Sequence, residues 1–179
     1  MRIEPIITHY NGCKYRSRIE ARWAVFYDFL GISFEYEKEG YNIDGKWYLP
    51  DFYLPQQDCW IEIKGYEPTN EEVSKLADVC GYTEKQGYMF HGAIPYYQNP
   101  QTPNSGACSI FPELELDYRW CECYFCGKIE IQREGASSHI DCCDDNKYWG
   151  GGKLLKLPVS THNSQLLLSA YSVSRSYIF

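Results

Sequence analysis

Pro50-Asp51 is followed, after ten residues, by Glu62-Ile63-Lys64, and these are the residues whose types and spacing best suit chemistry. On a strand, the period of two turns Glu62 and Lys64 to one face and sends Ile63 to the other, toward a core. Asp51, at the end of the neighbouring strand of a tight hairpin, then approaches Glu62. Two close carboxylates repel unless one is protonated or a divalent cation bridges them, and oxygen donors of this kind suit Mg²⁺ or Mn²⁺. The Ile63 carbonyl offers a further ligand. A lysine two residues past the glutamate can hold or help deprotonate a water while the cation stabilises charge on a phosphodiester oxygen. Glu20, one step off the apolar stripe of a helix, is the fourth contributor. Ser17-Arg18-Ile19-Glu20 also has the form of a capping box, which gives Glu20 a competing structural use. For the other three residues the competing reading is a surface hairpin carrying an ordinary Glu-Lys ladder.

A second constellation is built of thiols. Five of the nine cysteines lie within residues 121–143. Cys123-Tyr124-Phe125-Cys126-Gly127 has the shape of a zinc knuckle, two thiolates meeting one metal over a glycine turn. His139 and Cys142 supply a second pair, with Cys121 or Cys143 as alternatives to the histidine. Four protein ligands leave no open position, so the expected Zn²⁺ site is structural. The competing reading is a set of thiols in a β-hairpin. Cys13, Cys59, Cys80 and Cys108 are scattered and read as small core residues.

Charge is uneven along the chain. The net charge is -7, yet residues 146–179 carry four basic side chains and no acidic one. Bulk attraction to nucleic acid is therefore excluded, and local patches have to make any phosphate contact. Arg16, Arg18 and Arg22 form one such patch; Lys147, Lys153, Lys156 and Arg175 form the other. A composition of 44% hydrophobic and 17% aromatic residues excludes a disordered tail. No run is long and apolar enough to span a bilayer and no apolar leader opens the chain, so the expected setting is cytoplasmic, without a membrane partner.

The elements that must hold these groups follow from periodicity. Ile19, Trp23, Phe26, Tyr27 and Leu30 mark a helix over 17–30 that Gly31 closes. Strand-like pieces follow at 34–37, 41–43, 47–52 and 59–64, an antiparallel meander turning at Asp44-Gly45. Thr69 to Glu72 has the form of a capping box, and the helix it opens runs to Gly81. A strand at 87–91 then lies parallel to 60–64, because a helix joins the two. Residues 95–106 read as a loop, 113–120 and 128–133 as a small β unit, and the stretch from 163 onward as a last helix packing back on the body. The expected organisation is a core at 1–98, a linker at 99–112, a zinc-ribbon-like lobe at 113–150, and a basic segment with a helix at 151–179.

With Pro50-Asp51, Glu62-Ile63-Lys64 and the helix Glu20 in this order, the chain resembles the PD-(D/E)XK nuclease superfamily. Residues 15–23, 48–52 and 60–65 are also similar to an uncharacterised phage and prophage group with this core. In that group a Pro-Thr-capped helix follows, like Pro68-Thr69 here, then a strand ending near 92–95, a cysteine segment like 120–127 and a C-terminal helix. The resemblance covers most of the chain. It implies an α/β restriction-endonuclease-like core, a mixed central sheet flanked by helices, with a small zinc-ribbon-like lobe. It also implies Mg²⁺- or Mn²⁺-dependent endonuclease cleavage, with DNA as the default nucleic-acid substrate, by Glu20, Asp51, Glu62 and Lys64. Non-catalytic nucleic-acid- or protein-binding members, such as a phage interference protein, share that fold, and the oligomeric state is left open, a homodimer included.

Overall fold

The computed structural model describes residues 4–95, 107–109, 117–123, 126–133, 160–161 and 163–179. Its elements, in chain order, are β1 (Thr8–Tyr10), β2 (Cys13–Tyr15), α1 (Arg18–Leu30), β3 (Glu35–Tyr36), β4 (Tyr41–Ile43) and β5 (Lys46–Tyr48). There follow β6 (Phe52–Leu54), β7 (Cys59–Lys64), α2 (Asn70–Thr83), β8 (Gln86–His91), β9 (Ala107–Ser109), β10 (Asp117–Cys123), β11 (Ile129–Arg133), β12 (Ser160–Thr161) and α3 (Gln165–Ser176). The class is mixed α/β, as the periodicity predicts. Among the described residues no helix is long and apolar enough to cross a membrane.

The central sheet has the order β11-β10-β9-β8-β7-β6-β3, with β12 beside β10. Its one parallel pair among these is β7–β8, joined by α2. Alternation along each strand divides the core into two layers. Phe52, Leu54, Cys59, Ile61, Ile63 and Phe90 pack with Trp23, Phe26 and Tyr27 of α1 and Leu167, Ala170 and Tyr171 of α3. Tyr53, Trp60 and Met89 turn the other way, onto Leu76, Val79 and Cys80 of α2. Burying each large aliphatic or aromatic side chain contributes about 1.5–3 kcal/mol, and edge or offset ring pairs add about 0.5–1.5 kcal/mol. Trp23 packs against Phe26 of its own helix at 5.1 Å and against Phe90 of β8 at 4.8 Å, and the second contact locks α1 to the sheet.

Helix ends follow their caps. Ser17 accepts from the Glu20 N–H, and Gly31 closes α1 in the left-handed region at φ 68°. At the start of α2 the Thr69 hydroxyl accepts from the Glu72 N–H while the Glu72 carboxylate accepts from the Thr69 N–H. This helix does not stop at Gly81. It runs to Thr83, whose hydroxyl bonds the Val79 carbonyl and accepts from the Trp60 indole at 3.1 Å, tying the last turn to the sheet. That tie outweighs the modest penalty of a mid-helix glycine.

Three further differences from the periodicity have clear causes. Residues 47–52 are not one strand, because Pro50 lacks an N–H and separates β5 from β6. The hairpin β4–β5 consequently forms its own small sheet, turning at Asp44-Gly45 with φ 50° and 78°, and packs against α2. A hairpin ahead of α1, β1–β2, turns on Asn11-Gly12 with φ 49° and 78°; that Asn-Gly pair is a strong hairpin signal that the sequence already carried. Finally, β10 and β11, inside the stretch read as a separate lobe, pair into the main sheet, and Trp120 and Ile131 join the main core. The expected boundaries at 98, 112 and 150 lie outside the described residues.

Gly87 of β8 sits where a Cβ would lie 2.3 Å from the Cys80 sulfur, whereas a Cβ on Gly81 meets nothing within 4 Å. Gly87→Ala is expected to destabilise by about 1–3 kcal/mol through overpacking, and Gly81→Ala to stabilise by up to about 1 kcal/mol. Urea denaturation of the two variants checks both signs.

Candidate functional site

The register between β6 and β7 sets the site. Phe52 pairs with Ile61, so Asp51, one residue before β6, lies opposite Glu62. Beyond that last pair β7 has no strand partner on this side, and the Ile63 N–H donates instead to Asp51 Oδ2 at 2.7 Å. The Lys64 carbonyl accepts from the Gly92 N–H at 2.9 Å on the β8 side. In a parallel ladder alternate residues face opposite neighbours, so the Ile63 carbonyl faces the Asp51 side.

Each acid is buried and each is held. Asp51 Oδ1 accepts from the Arg16 guanidinium at 2.5 Å, and Arg16 also pairs with Glu37 at 2.7 Å. Glu62 Oε1 accepts from Lys64 Nζ at 2.6 Å, and Glu62 Oε2 from the Asp51 N–H at 3.3 Å. Glu20 Oε1 accepts from the Ser17 hydroxyl at 2.5 Å, and Oε2 from the Tyr36 hydroxyl at 2.6 Å. The helix start therefore uses the Ser17 half of a capping box, while the Glu20 carboxylate turns inward. Lys64 also lies 3.9 Å from Glu72. The Tyr48 hydroxyl is buried without a hydrogen bond of normal geometry. The proximity of Glu62 and Asp51 adds to its desolvation in making its ionisation harder.

The electrostatics follow from crowding. Burial first, then the charges of Glu62 and Glu20, push the Asp51 carboxyl well above the usual carboxylate range, against the pull of Arg16 and the Ile63 N–H. Burial works against the charge on Lys64, but Glu62 and Asp51 outweigh it and raise the ammonium above its ordinary value. Arg16 is likewise kept charged despite its desolvation, through Asp51.

The structure thus brings Asp51, Glu62 and Lys64 together, with the Ile63 backbone beside them, and links Glu20 to the same cluster through Tyr36 and Arg16. Among the described residues no three His, Cys, Asp or Glu side chains already form a metal cage; counter-charges and hydroxyls occupy their lone pairs. The donors are all hard oxygens and adjacent, a set that fits Mg²⁺ or Mn²⁺ once Arg16 and Lys64 yield them. Arg16, read as a phosphate contact, points at Asp51 and Glu37. Arg18 is exposed, and the Arg22 Nε is buried without a partner among the described residues.

Tyr36, Tyr48, Glu37 and Glu72 join the site only through the tertiary fold. As alternating aromatics Tyr36 and Tyr48 suggest sheet packing; in the fold Tyr36, on β3 beside β6, reaches Glu20 of α1, and Tyr48, ending β5, lies near Glu62. Of the thiol set, Cys123 ends β10 and Cys126 lies in the turn to β11. There Gly127, at φ 73°, donates its N–H to the Cys123 carbonyl at 3.0 Å. Cys121 is buried on β10; His139, Cys142 and Cys143 lie outside the described residues, as do Lys147, Lys153 and Lys156. Arg175 bonds the Pro95 carbonyl. No family model matches the chain, and neither a curated protein nor a solved structure matches it.

The raised Asp51 carboxyl has a consequence for stability. An acid whose folded value exceeds its unfolded one, near 3.8, contributes fully below that unfolded value. The contribution is lost as pH rises through the folded value. Asp51→Asn keeps an acceptor for the Ile63 N–H and cannot ionise, so it is expected to be more stable than wild type at about pH 8. The gap should close toward about pH 4. Thermal melts across that range read the effect, and a variant less stable at the alkaline end contradicts the assignment.

Proposed function

We propose that the protein is a metal-dependent endonuclease that hydrolyses phosphodiester bonds, with DNA as its substrate. The observation that carries this reading is the burial of Asp51 directly beside Glu62, with Lys64 2.6 Å from the second acid. Burying two adjacent carboxylates opposes folding, and such crowding is a feature of sites built to take a cation. The restriction-endonuclease-like core, the membership of the PD-(D/E)XK superfamily and a phage or prophage setting belong to the same proposal. So do the cytoplasmic location and the Zn²⁺ held by Cys123, Cys126, His139 and Cys142.

In this mechanism Asp51, Glu62 and the Ile63 carbonyl would hold Mg²⁺ or Mn²⁺, and Glu20 would add a ligand from α1. The cation supplies Lewis acidity to the scissile phosphate and lowers the pKa of a water. Arg16 leaves Asp51 and is then free to meet a phosphate oxygen, a bidentate contact that suits its guanidinium. Lys64, kept an ammonium by the neighbouring acids, would orient the attacking water and stabilise the hydroxide that forms, the proton passing to solvent. The neighbouring Glu72, 3.9 Å away, would keep the lysine in place were Glu62 to serve as a metal ligand.

A second reading rests on a specific observation. Every acid of the cluster is already satisfied by Arg16, Lys64, Ser17 or Tyr36, as it would be in a non-catalytic binding module that keeps the fold. Cleavage of single- and double-stranded DNA and RNA with Mg²⁺ or Mn²⁺ separates the two. Asp51→Asn, Glu62→Gln and Lys64→Ala are expected to lower the rate by roughly 10²–10⁴-fold. Glu20→Gln should lower it less. Wild type and variants that are equally inert while nucleic-acid binding persists would favour the binding module.

A further inference from the structure

Trp47 is the exposed exception among the described tryptophans. It is 65% exposed, while Trp23, Trp60 and Trp120 are 2% exposed or less. Its six-membered ring lies close to Gly40, where a Cβ would fall 2.1 Å from it, so the chain backs part of the indole while most of it stays exposed. Burial does not explain an indole set in this way. Lys46, Trp47, Glu71, Ser74 and Lys75 line a groove of about 380 Å³. Lys75 is paired with Glu71 at 2.7 Å, so the two lysines and one glutamate leave a net positive charge, that of Lys46. A flat apolar face, a nearby cation and a hydroxyl donor match a base and its phosphate.

The groove also adjoins the carboxylate cluster. Along β5 the alternation sends Tyr48 inward, close enough for Glu62 to affect its hydroxyl, and Trp47 outward. Across the groove, Glu71 precedes Glu72, which reaches Lys64. The two sites therefore share β5 and the first turn of α2. A base of a stacked duplex has both faces covered by its neighbours, whereas a single strand offers free faces for an indole.

We propose that Trp47, with Lys46, is a base-stacking subsite for single-stranded DNA beside the carboxylate cluster. The subsite deepens the nuclease reading, from which it takes the class of its ligand, by naming the form of substrate. Trp47 acts in binding and takes no part in bond cleavage.

Fluorescence anisotropy of a labelled oligothymidylate, and of a duplex of equal length, tests the subsite in the full-length protein with Ca²⁺ as the divalent cation. Wild type is expected to bind the single strand more tightly than the duplex. Trp47→Ala should weaken single-strand binding by roughly 5- to 150-fold and duplex binding little, while Trp47→Phe should keep most of the affinity. Lys46→Ala should flatten the salt dependence of single-strand binding. Circular dichroism establishes that each variant is folded. Equal single-strand affinity in wild type and Trp47→Ala, or no single-strand binding by wild type, overturns the proposal. Cleavage is read separately: a protein that binds through Trp47 but never cuts keeps the subsite and loses the nuclease reading.

Discussion

Asp51 and Glu62 lie opposite each other at the end of two antiparallel strands, both out of solvent, and the arrangement around them answers their mutual repulsion. Arg16 arrives from the end of β2, Lys64 from β7 itself, and the Ile63 N–H takes the place of a ladder bond. A half-satisfied carboxylate pair would be costly in so dry a setting, so each of these partners is needed for the pair to stay buried. The same partners are the groups that a phosphodiester reaction would use, which makes the folding solution and the proposed chemistry one arrangement in two states.

Precision in that arrangement comes from the layers behind it. Ile61 and Ile63 are clamped under α1, and Trp60 under α2, so the strand that carries Glu62 and Lys64 is packed on both faces. The parallel β8 borders one side of it along its full length. The Trp23, Phe26 and Tyr27 surface of α1 sets the height of that helix above the sheet, and with it the approach of Glu20. Tyr36 converts this approach into contact, bonding Glu20 on one side and the Arg16 backbone on the other. Polar groups on four different elements thereby depend on ring packing that none of them shares.

Much of this was legible before folding. Period two placed Glu62 and Lys64 on one face of 59–64 and Ile63 on the other, and β7 has those limits. Thr69 to Glu72 predicted the start of α2, and the intervening helix predicted the parallel pairing of β8. Less legible were Tyr36 and Tyr48, since an alternating aromatic looks the same whether its hydroxyl meets solvent or an acid. Arg16 read as a phosphate contact because sequence spacing says nothing of an acid 35 residues away. The β10–β11 pair read as a lobe of its own because its sheet partner, β9, follows a loop with no period.

Local chemistry, then, was written in the chain itself. Helix caps, Asn-Gly and Asp-Gly turns, and strand faces are decided by neighbours within a few residues, and the covalent backbone keeps those neighbours together. Which acid meets which base was decided only by the tertiary structure. The Asp51–Arg16 pair, the link from Glu20 to Tyr36 and the exposure of Trp47 depend on how far apart layers settle once side chains of fixed volume are packed between them. That is a property of the whole packed core and not of any one segment.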